Sequence, residues 1–248
     1  MPWAIIPPCA MPASVVVIPT YNERENLPDL VGRVLAADDT RVIIVDDSSP
    51  DGTGDLADEL AARTDRVAVI HRAGKLGLGT AYLDGFRRAL TDRPDFIFSM
   101  DGDGSHDPSY LPHFWQALAS ADVVVGSRYL HGVSVVNWPI RRLVLSQGAN
   151  LYVRRTTGLA VRDCTSGYVG YRRSVLETIA LDAVHSEGYA FLVELKYRAQ
   201  RRGFRLAEVP IIFVDRRMGQ SKLSGGVMTE AFWLPWRLLL ARALRRRM

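Results

Sequence analysis

Cysteine is nearly absent from this 248-residue sequence, which holds only Cys9 and Cys164. Two thiols cannot build a disulfide framework, so a small secreted scaffold is set aside and a reducing compartment is the simpler expectation. Each reads as a small apolar residue. Long apolar runs are missing too. No stretch reaches the roughly 18 uninterrupted apolar residues of a membrane span, and the best candidate, Ala231-Phe232-Trp233-Leu234-Pro235-Trp236, runs straight into Arg237. No Gly-x-Gly-x-x-Gly follows the first predicted strand and no Gly-Lys-Ser/Thr occurs, so dinucleotide redox and P-loop chemistry lose their main support. His71, His106, His113, His131 and His185 show no pair at ligand spacing, which argues against a zinc site or a Ser-His-Asp triad. There is no repeat and no low-complexity linker. Excess charge is small, 31 Lys and Arg against 27 Asp and Glu. A net +4 suits anionic small molecules or a phospholipid surface and gives no strong pointer to nucleic acid.

What the chain does have is the patterning of one large domain or two closely fused halves. The first half alternates short β-branched runs with amphipathic stretches. Strands are predicted over 14–18, 42–45, 67–70, 96–100 and 123–125, and helices over 25–36, 54–63, 79–90 and 110–119. Pro19 is expected to stop the first strand. Continuous apolar strands of this kind belong to a parallel sheet covered by helices on both faces. After Arg128 the pattern changes: a long helix over 138–157 opened by Pro139, a strand-like segment at 167–172, a helix over 190–201, a strand pair around 204–214 and a helical tail. Residues 1–13 read as a disordered lead-in, with Met11 as an alternative start.

In such sheets ligands bind outside the carboxyl ends of the strands. Those ends carry Pro19-Thr20-Tyr21-Asn22-Glu23, Asp46-Asp47-Ser48-Ser49, Asp101-Gly102-Asp103 and Gly126-Ser127-Arg128. Asp101 and Asp103 can present hard oxygens to Mg²⁺ or Mn²⁺, the alternative being an ordinary Asp-Gly turn. Asp46 and Asp47 suit a nucleotide base or ribose, or else a cap or turn; Asp51-Gly52-Thr53 has turn chemistry. The glycines of Gly74-Lys75-Leu76-Gly77-Leu78-Gly79 suit a tight helix start, with a phosphate cradle as the alternative. Arg128, Arg142, Arg216 and Lys222 stand out among the cations by their settings: Gly-Ser-Arg, a helix led by Trp-Pro, and a glycine-containing loop. A guanidinium fork matches phosphate geometry.

Taken together, these segments resemble the polyprenol (dolichol) monophosphate mannose synthases, inverting family 2 glycosyltransferases of the GT-A fold. The resemblance runs through Ile18-Pro19-Thr20-Tyr21-Asn22-Glu23, Val45-Asp46-Asp47-Ser48-Ser49-Pro50-Asp51-Gly52-Thr53 and Met100-Asp101-Gly102-Asp103-Gly104-Ser105-His106-Asp107-Pro108. It continues in Asn137-Trp138-Pro139 with Arg142 and Ser146, Asp163-Cys164-Thr165-Ser166-Gly167-Tyr168, Gly188-Tyr189-Ala190-Phe191, and Phe213-Val214-Asp215-Arg216 with Gly219-Gln220-Ser221-Lys222. The first motifs are common to many family 2 enzymes, and the later ones narrow the match to those with lipid-phosphate acceptors.

The resemblance implies an α/β fold with a Rossmann-like, mostly parallel sheet in a single compact unit. Residues 14–128 would form a nucleotide-sugar half, 129–228 an acceptor half and 229–248 a basic amphipathic tail. Pro19, Tyr21, Glu23, Asp46 and Asp47 would hold GDP-mannose. Asp101 and Asp103, with Ser105 as a weaker third contact, would bind Mg²⁺ or Mn²⁺. The family often has Gln at the position of Ser105, and Ala or Leu where this chain has Gly102 and Gly104. Arg128, Arg142, Ser146, Arg216, Ser221 and Lys222 would grip donor and acceptor phosphates, with Arg128 and Arg216 counted beside the two carboxylates as catalytic. The implied reaction is inverting transfer of mannose to a polyprenyl monophosphate. It needs no strong general base, because the acceptor is already an anion. The implied setting is peripheral, at the cytoplasmic face of a membrane, with the Trp- and Arg-rich tail and residues 133–138 near lipid. A membrane-protein partner would be unidentified from sequence. UDP-glucose as donor is the rival enzyme reading, and a non-catalytic nucleotide-binding scaffold the rival from another class.

Overall fold

The computed structural model describes residues 13–37, 39–184, 186, 188–215 and 233–237. The first half alternates as its pattern requires: β1 (Ser14–Thr20), α1 (Leu27–Leu35), β2 (Thr40–Asp46), α2 (Thr53–Arg63), β3 (Val67–His71), α3 (Leu78–Thr91), β4 (Phe96–Ser99), α4 (Leu111–Leu118) and β5 (Val123–Ser127). The second half adds β6 (Val135–Val136), α5 (Ile140–Thr157), β7 (Val169–Arg172), α6 (Arg173–Thr178), α7 (Gly188–Arg201), β8 (Leu206–Pro210) and β9 (Phe213–Val214).

Seven of these strands form one sheet in the order β3-β2-β1-β4-β7-β5-β8. Every pairing is parallel except those of β7, which runs antiparallel between β4 and β5. Alternation along β1 shows why both faces are covered. Val15 and Val17 enter a core shared with α3 and α7, while Val16 and Ile18 enter the opposite core with α1 and α4. A seven-residue strand buried at every position needs helices on both sides.

Two expectations change. Pro19 does not stop β1, which continues to Thr20 with Pro19 opposite Val45. Met100 N–H donates to Val17 O, so odd-numbered residues of β1 face β4. The ladder with β4 has ended at Val17, and the missing donor of Pro19 therefore falls where no strand needs it. The strand pair around 204–214 is not a pair. β8 lies beside β5 in the main sheet, and β9 joins β6 in a separate two-stranded ribbon. The long helix starts at Ile140 with Pro139 as its extended cap, and ends on Gly158 at φ 73°, the left-handed conformation that glycine adopts most readily. In the tail, residues 233–237 are helical. Leu234 is buried in the core, while Trp233 and Trp236 are exposed. The remainder of the tail, like residues 1–12 with Met11, lies outside the described residues. Ala13, expected in the disordered lead-in, is instead fixed beside β4, its carbonyl accepting from Asp95 N–H at 2.8 Å and Phe96 N–H at 3.2 Å. No helix among the described residues is long and apolar enough to cross a membrane.

Candidate active site

The parallel strands β1, β2 and β4 end side by side, and their loops carry the acidic residues. Asp101 lies two residues past β4. Its Oδ1 accepts a 2.8 Å hydrogen bond from the hydroxyl of Tyr82 on α3, and its backbone N–H donates to Nδ1 of His106 at 3.1 Å. An accepting Nδ1 places the proton of His106 on Nε2. Burial keeps this imidazole below the usual histidine range, against the opposite pull of Asp101 and Asp103. The ring is therefore neutral and braces the Asp101 turn. Burial, with the neighbouring Asp101 charge, lifts Tyr82 well above the tyrosine range, so its hydroxyl remains a donor.

Asp103 Oδ1 accepts from Ser105 N–H at 3.0 Å, across Gly104 at φ 72°. Gly102 is required by close approach: a Cβ there would lie 3.0 Å from Pro19 O. Gly167 matters equally, since its Cβ would lie 3.1 Å from both carboxylate oxygens of Asp101. Ser105 Oγ is buried without a hydrogen-bond partner. Two carboxylates and an orphaned hydroxyl within five residues form an oxygen donor set that fits a hard divalent cation. Among the described residues, no group of three His, Cys, Asp or Glu side chains forms a metal cluster, so such an ion would need oxygens from its nucleotide or from water.

Asp46 and Asp47, adjacent in sequence, have different surroundings. Asp46 accepts from Thr20 Oγ1 at 2.9 Å and from the Ser49 hydroxyl and N–H at 2.6 and 3.0 Å. It ties the ends of β1 and β2 into one rim. Asp47 is taken up by the buried guanidinium of Arg72 and the N–H of Gly77. Arg72 also reaches Asp84 and Thr80. The N–H of Gly77 thus serves Asp47, and Gly79 admits Ser186 O, which would be 2.8 Å from a Cβ; these glycines start a helix. Asp51 has its turn role, with Oδ1 accepting from both N–H and Oγ1 of Thr53. Glu23 is buried and accepts from Asn26. Tyr21 lies under Lys75, whose Nζ is 4.1 Å from the ring centre.

Across the site, Arg128 follows β5. Its Nε and Nη2 meet the two oxygens of Asp163 at 2.6 and 2.7 Å, and Nη2 also donates to Thr165 Oγ1 at 2.9 Å. Burial pushes Asp163 upward, but the Arg128 charge and hydrogen bonds outweigh it and hold the carboxyl below its usual range. Arg128 is therefore a buried, paired cation whose field, more than a free fork, reaches the site. Arg142 on α5 pairs with Asp215 at 2.7 Å and stacks over Trp138, 4.2 Å from the ring centre. Ser146, one turn on, accepts from Tyr129 at 2.7 Å. Arg216, Ser221 and Lys222 lie outside the described residues.

Sequence reasoning missed Tyr82, His106 and Arg72 as site residues. Tyr82 occupies an apolar-face position of α3 and His106 has no histidine partner, so neither gives a pattern signal. Their role comes from packing across the sheet.

Comparison with known proteins gives the family and the fold. The Glycosyl transferase family 2 model matches residues 15–180. A polyprenol monophosphomannose synthase from Mycolicibacterium smegmatis is 52% identical over 223 residues, 89% of this chain and 84% of that protein. An undecaprenyl-phosphate mannosyltransferase from Micrococcus luteus is 48% identical over 218 residues, 88% of this chain and 90% of that protein. Among solved structures, glucosyl-3-phosphoglycerate synthase of M. tuberculosis superposes with a TM-score of 0.61 at 18% identity, covering 93% of this chain and 80% of that one. A mannosyltransferase from Pyrobaculum calidifontis, solved with GDP-Man and Mn²⁺, gives 0.56 at 17% identity, covering 98% and 77%. These structural likenesses show the fold, which is GT-A.

Proposed function

This chain belongs to glycosyl transferase family 2, and we propose that it is a mannosyltransferase moving mannose from GDP-mannose to a polyprenyl monophosphate with inversion. The observation that carries the reading is the 52% identity to a polyprenol monophosphomannose synthase over 89% of the chain, which spans both the carboxylate rim and the acceptor half.

Asp101 and Asp103, with Ser105, would hold Mg²⁺ or Mn²⁺. When bound, the ion supplies Lewis-acid neutralisation of the leaving diphosphate. The chain's own residues do the rest. Tyr82 and His106 fix Asp101 before any ligand arrives. Asp46 holds the rim on which Pro19, Tyr21 and Glu23 would receive the nucleoside; Asp47, braced by Arg72, supports that rim from behind. A lipid monophosphate carries close to two charges at neutral pH, so its oxygen attacks the anomeric carbon without a strong base. The protein's task is to bring two anions together and hold them. Arg142, Ser146, Arg216, Ser221 and Lys222 are assigned to phosphate positioning, and Arg128 contributes its field from the Asp163 pair.

A membrane surface is the proposed source of the acceptor, and the cytoplasmic face the proposed side. Supporting this, α5 exposes Ile140, Val144, Leu145 and Leu151 beside basic residues, and Val133 and Val136 are exposed nearby. Apolar side chains interleaved with arginine suit a headgroup layer.

A panel of sugar nucleotides with a short polyprenyl phosphate and Mg²⁺ tests the reading. Organic-extractable mannose from GDP-mannose is expected. Transfer of glucose alone selects the UDP-glucose alternative, and no transfer under any condition selects a non-catalytic scaffold.

A further inference from the structure

The segment from Asp163 to Gly167 touches both ends of the site. At one end Asp163 grips Arg128; at the other Gly167 lies against the Asp101 carboxylate. Between them the chain is neither helix nor strand, so its backbone groups need partners from elsewhere. Two helices provide them. From α5, Asn150 Oδ1 accepts the N–H groups of Cys164 and Thr165 at 2.7 and 3.3 Å. From α7, the fully buried Lys196 donates through Nζ to Cys164 O at 2.9 Å and Ser166 O at 2.8 Å. Two carbonyls turned toward one ammonium fix the Cys164–Thr165 and Ser166–Gly167 peptide planes, the first carrying Thr165, which Arg128 also reaches, and the second Gly167. A buried ammonium is costly, and what offsets that cost at this position is the pair of carbonyls, which an apolar side chain would leave buried and unpaired.

We propose that Lys196 is a positioning residue for the transfer, locking residues 163–167 so that Asp101 and Arg128 are held at a fixed separation. This role presupposes the mannosyl transfer proposed above. The charges of Asp163, Arg128 and Glu208, and the Cys164 thiol, act on the ammonium. Burial brings Lys196 down to about 8, while burial raises Cys164 to about 12 and the Arg128 pair keeps Asp163 ionised. Lys196 is thus the group of this cluster that changes charge at mildly alkaline pH. The resulting amine still donates, but without charge assistance its two bonds weaken.

Lys196→Met is the test, read by steady-state kinetics with GDP-mannose and a short polyprenyl phosphate, and by Mn²⁺ binding to the GDP-loaded protein. The variant is expected to keep its GDP-mannose KM within about twofold while kcat falls roughly tenfold to a hundredfold, the scale of a small misplacement. Mn²⁺ affinity should fall about fivefold, and adding Gly167→Ala should cost little more, because both act through the same contact. Wild-type kcat and Mn²⁺ affinity in Lys196→Met overturn the role. If that variant does not fold, the unmodified protein decides: a downward kcat limb near pH 8 supports the role, and a flat profile from about pH 7 to about pH 9.5 overturns it. A wild type that transfers no sugar to lipid phosphate counts against the mannosyl reading instead, and the Mn²⁺ comparison then still decides Lys196.

Discussion

The rim formed by β1, β2 and β4 and the face formed by β6, α5 and β9 are built on opposite plans. On the rim, Asp46 and Asp47 are buried and satisfied: they are 2% and 5% exposed, and each has several donors. On the α5 face, apolar groups are outside, with Ile140 79% exposed, while Asn150 and Thr157 point inward with Val153. Burying a carboxylate is tolerable only where hydrogen bonds replace water, so the rim is preorganised. Exposing a row of aliphatic side chains is tolerable where something apolar meets them. One region is finished by the fold, and the other leaves apolar side chains outside it.

Asp103→Ala should break the rim most severely. Metal-dependent turnover is expected to fall by about a thousandfold or more; a variant with wild-type rate in Mg²⁺ and Mn²⁺ would remove the metal assignment. Gly167→Ala comes next. Its new Cβ must displace the Asp101 carboxylate, and a loss in kcat of roughly tenfold to a hundredfold is expected. Arg142→Ala attacks the other region: the KM for the lipid phosphate should rise about tenfold, the scale of one charged hydrogen bond. Nucleotide affinity, measured by calorimetry, should stay unchanged. An equal loss on both substrates would dissolve the distinction between rim and face.

The smallest effect concerns Asp107, at the far end of the loop that follows β4. Burial raises it, but the Ser109 hydrogen bonds and Arg33 outweigh this and hold its carboxyl below the usual range. For a depressed carboxylate, the unfolded chain binds more protons, so its contribution is present above the unfolded value and lost as pH falls through the folded one. Asp107→Asn should therefore flatten the loss of Tm with acid below about pH 4. At neutral pH this partly exposed pair is worth less than about 1 kcal/mol. An unchanged acid slope by differential scanning fluorimetry would show that the loop does not depend on it.

Much of this was legible in the residues. The β-branched runs gave strands because continuous apolar segments fit only a doubly covered sheet, and the acidic residues were visible because they follow those runs directly. Pro19 misled, since whether a missing N–H matters depends on which neighbour the residue faces, and that is a property of the sheet. The segment around 204–214 misled for a related reason: two adjacent strands look like a pair until their partners, β5 and β6, claim them separately. Asp46 and Asp47 look alike in sequence, yet Arg72 takes one and the Thr20–Ser49 rim the other.

What the sequence determined alone is the order of elements and the chemistry at their ends, because periodicity and turn residues act locally. The tertiary structure decided which groups are held and by what. Tyr82 on Asp101, Gly167 against it and Lys196 on the Cys164 and Ser166 carbonyls come from three separate parts of the chain. No local pattern encodes such contacts, since they exist only once strands and helices have packed across the sheet.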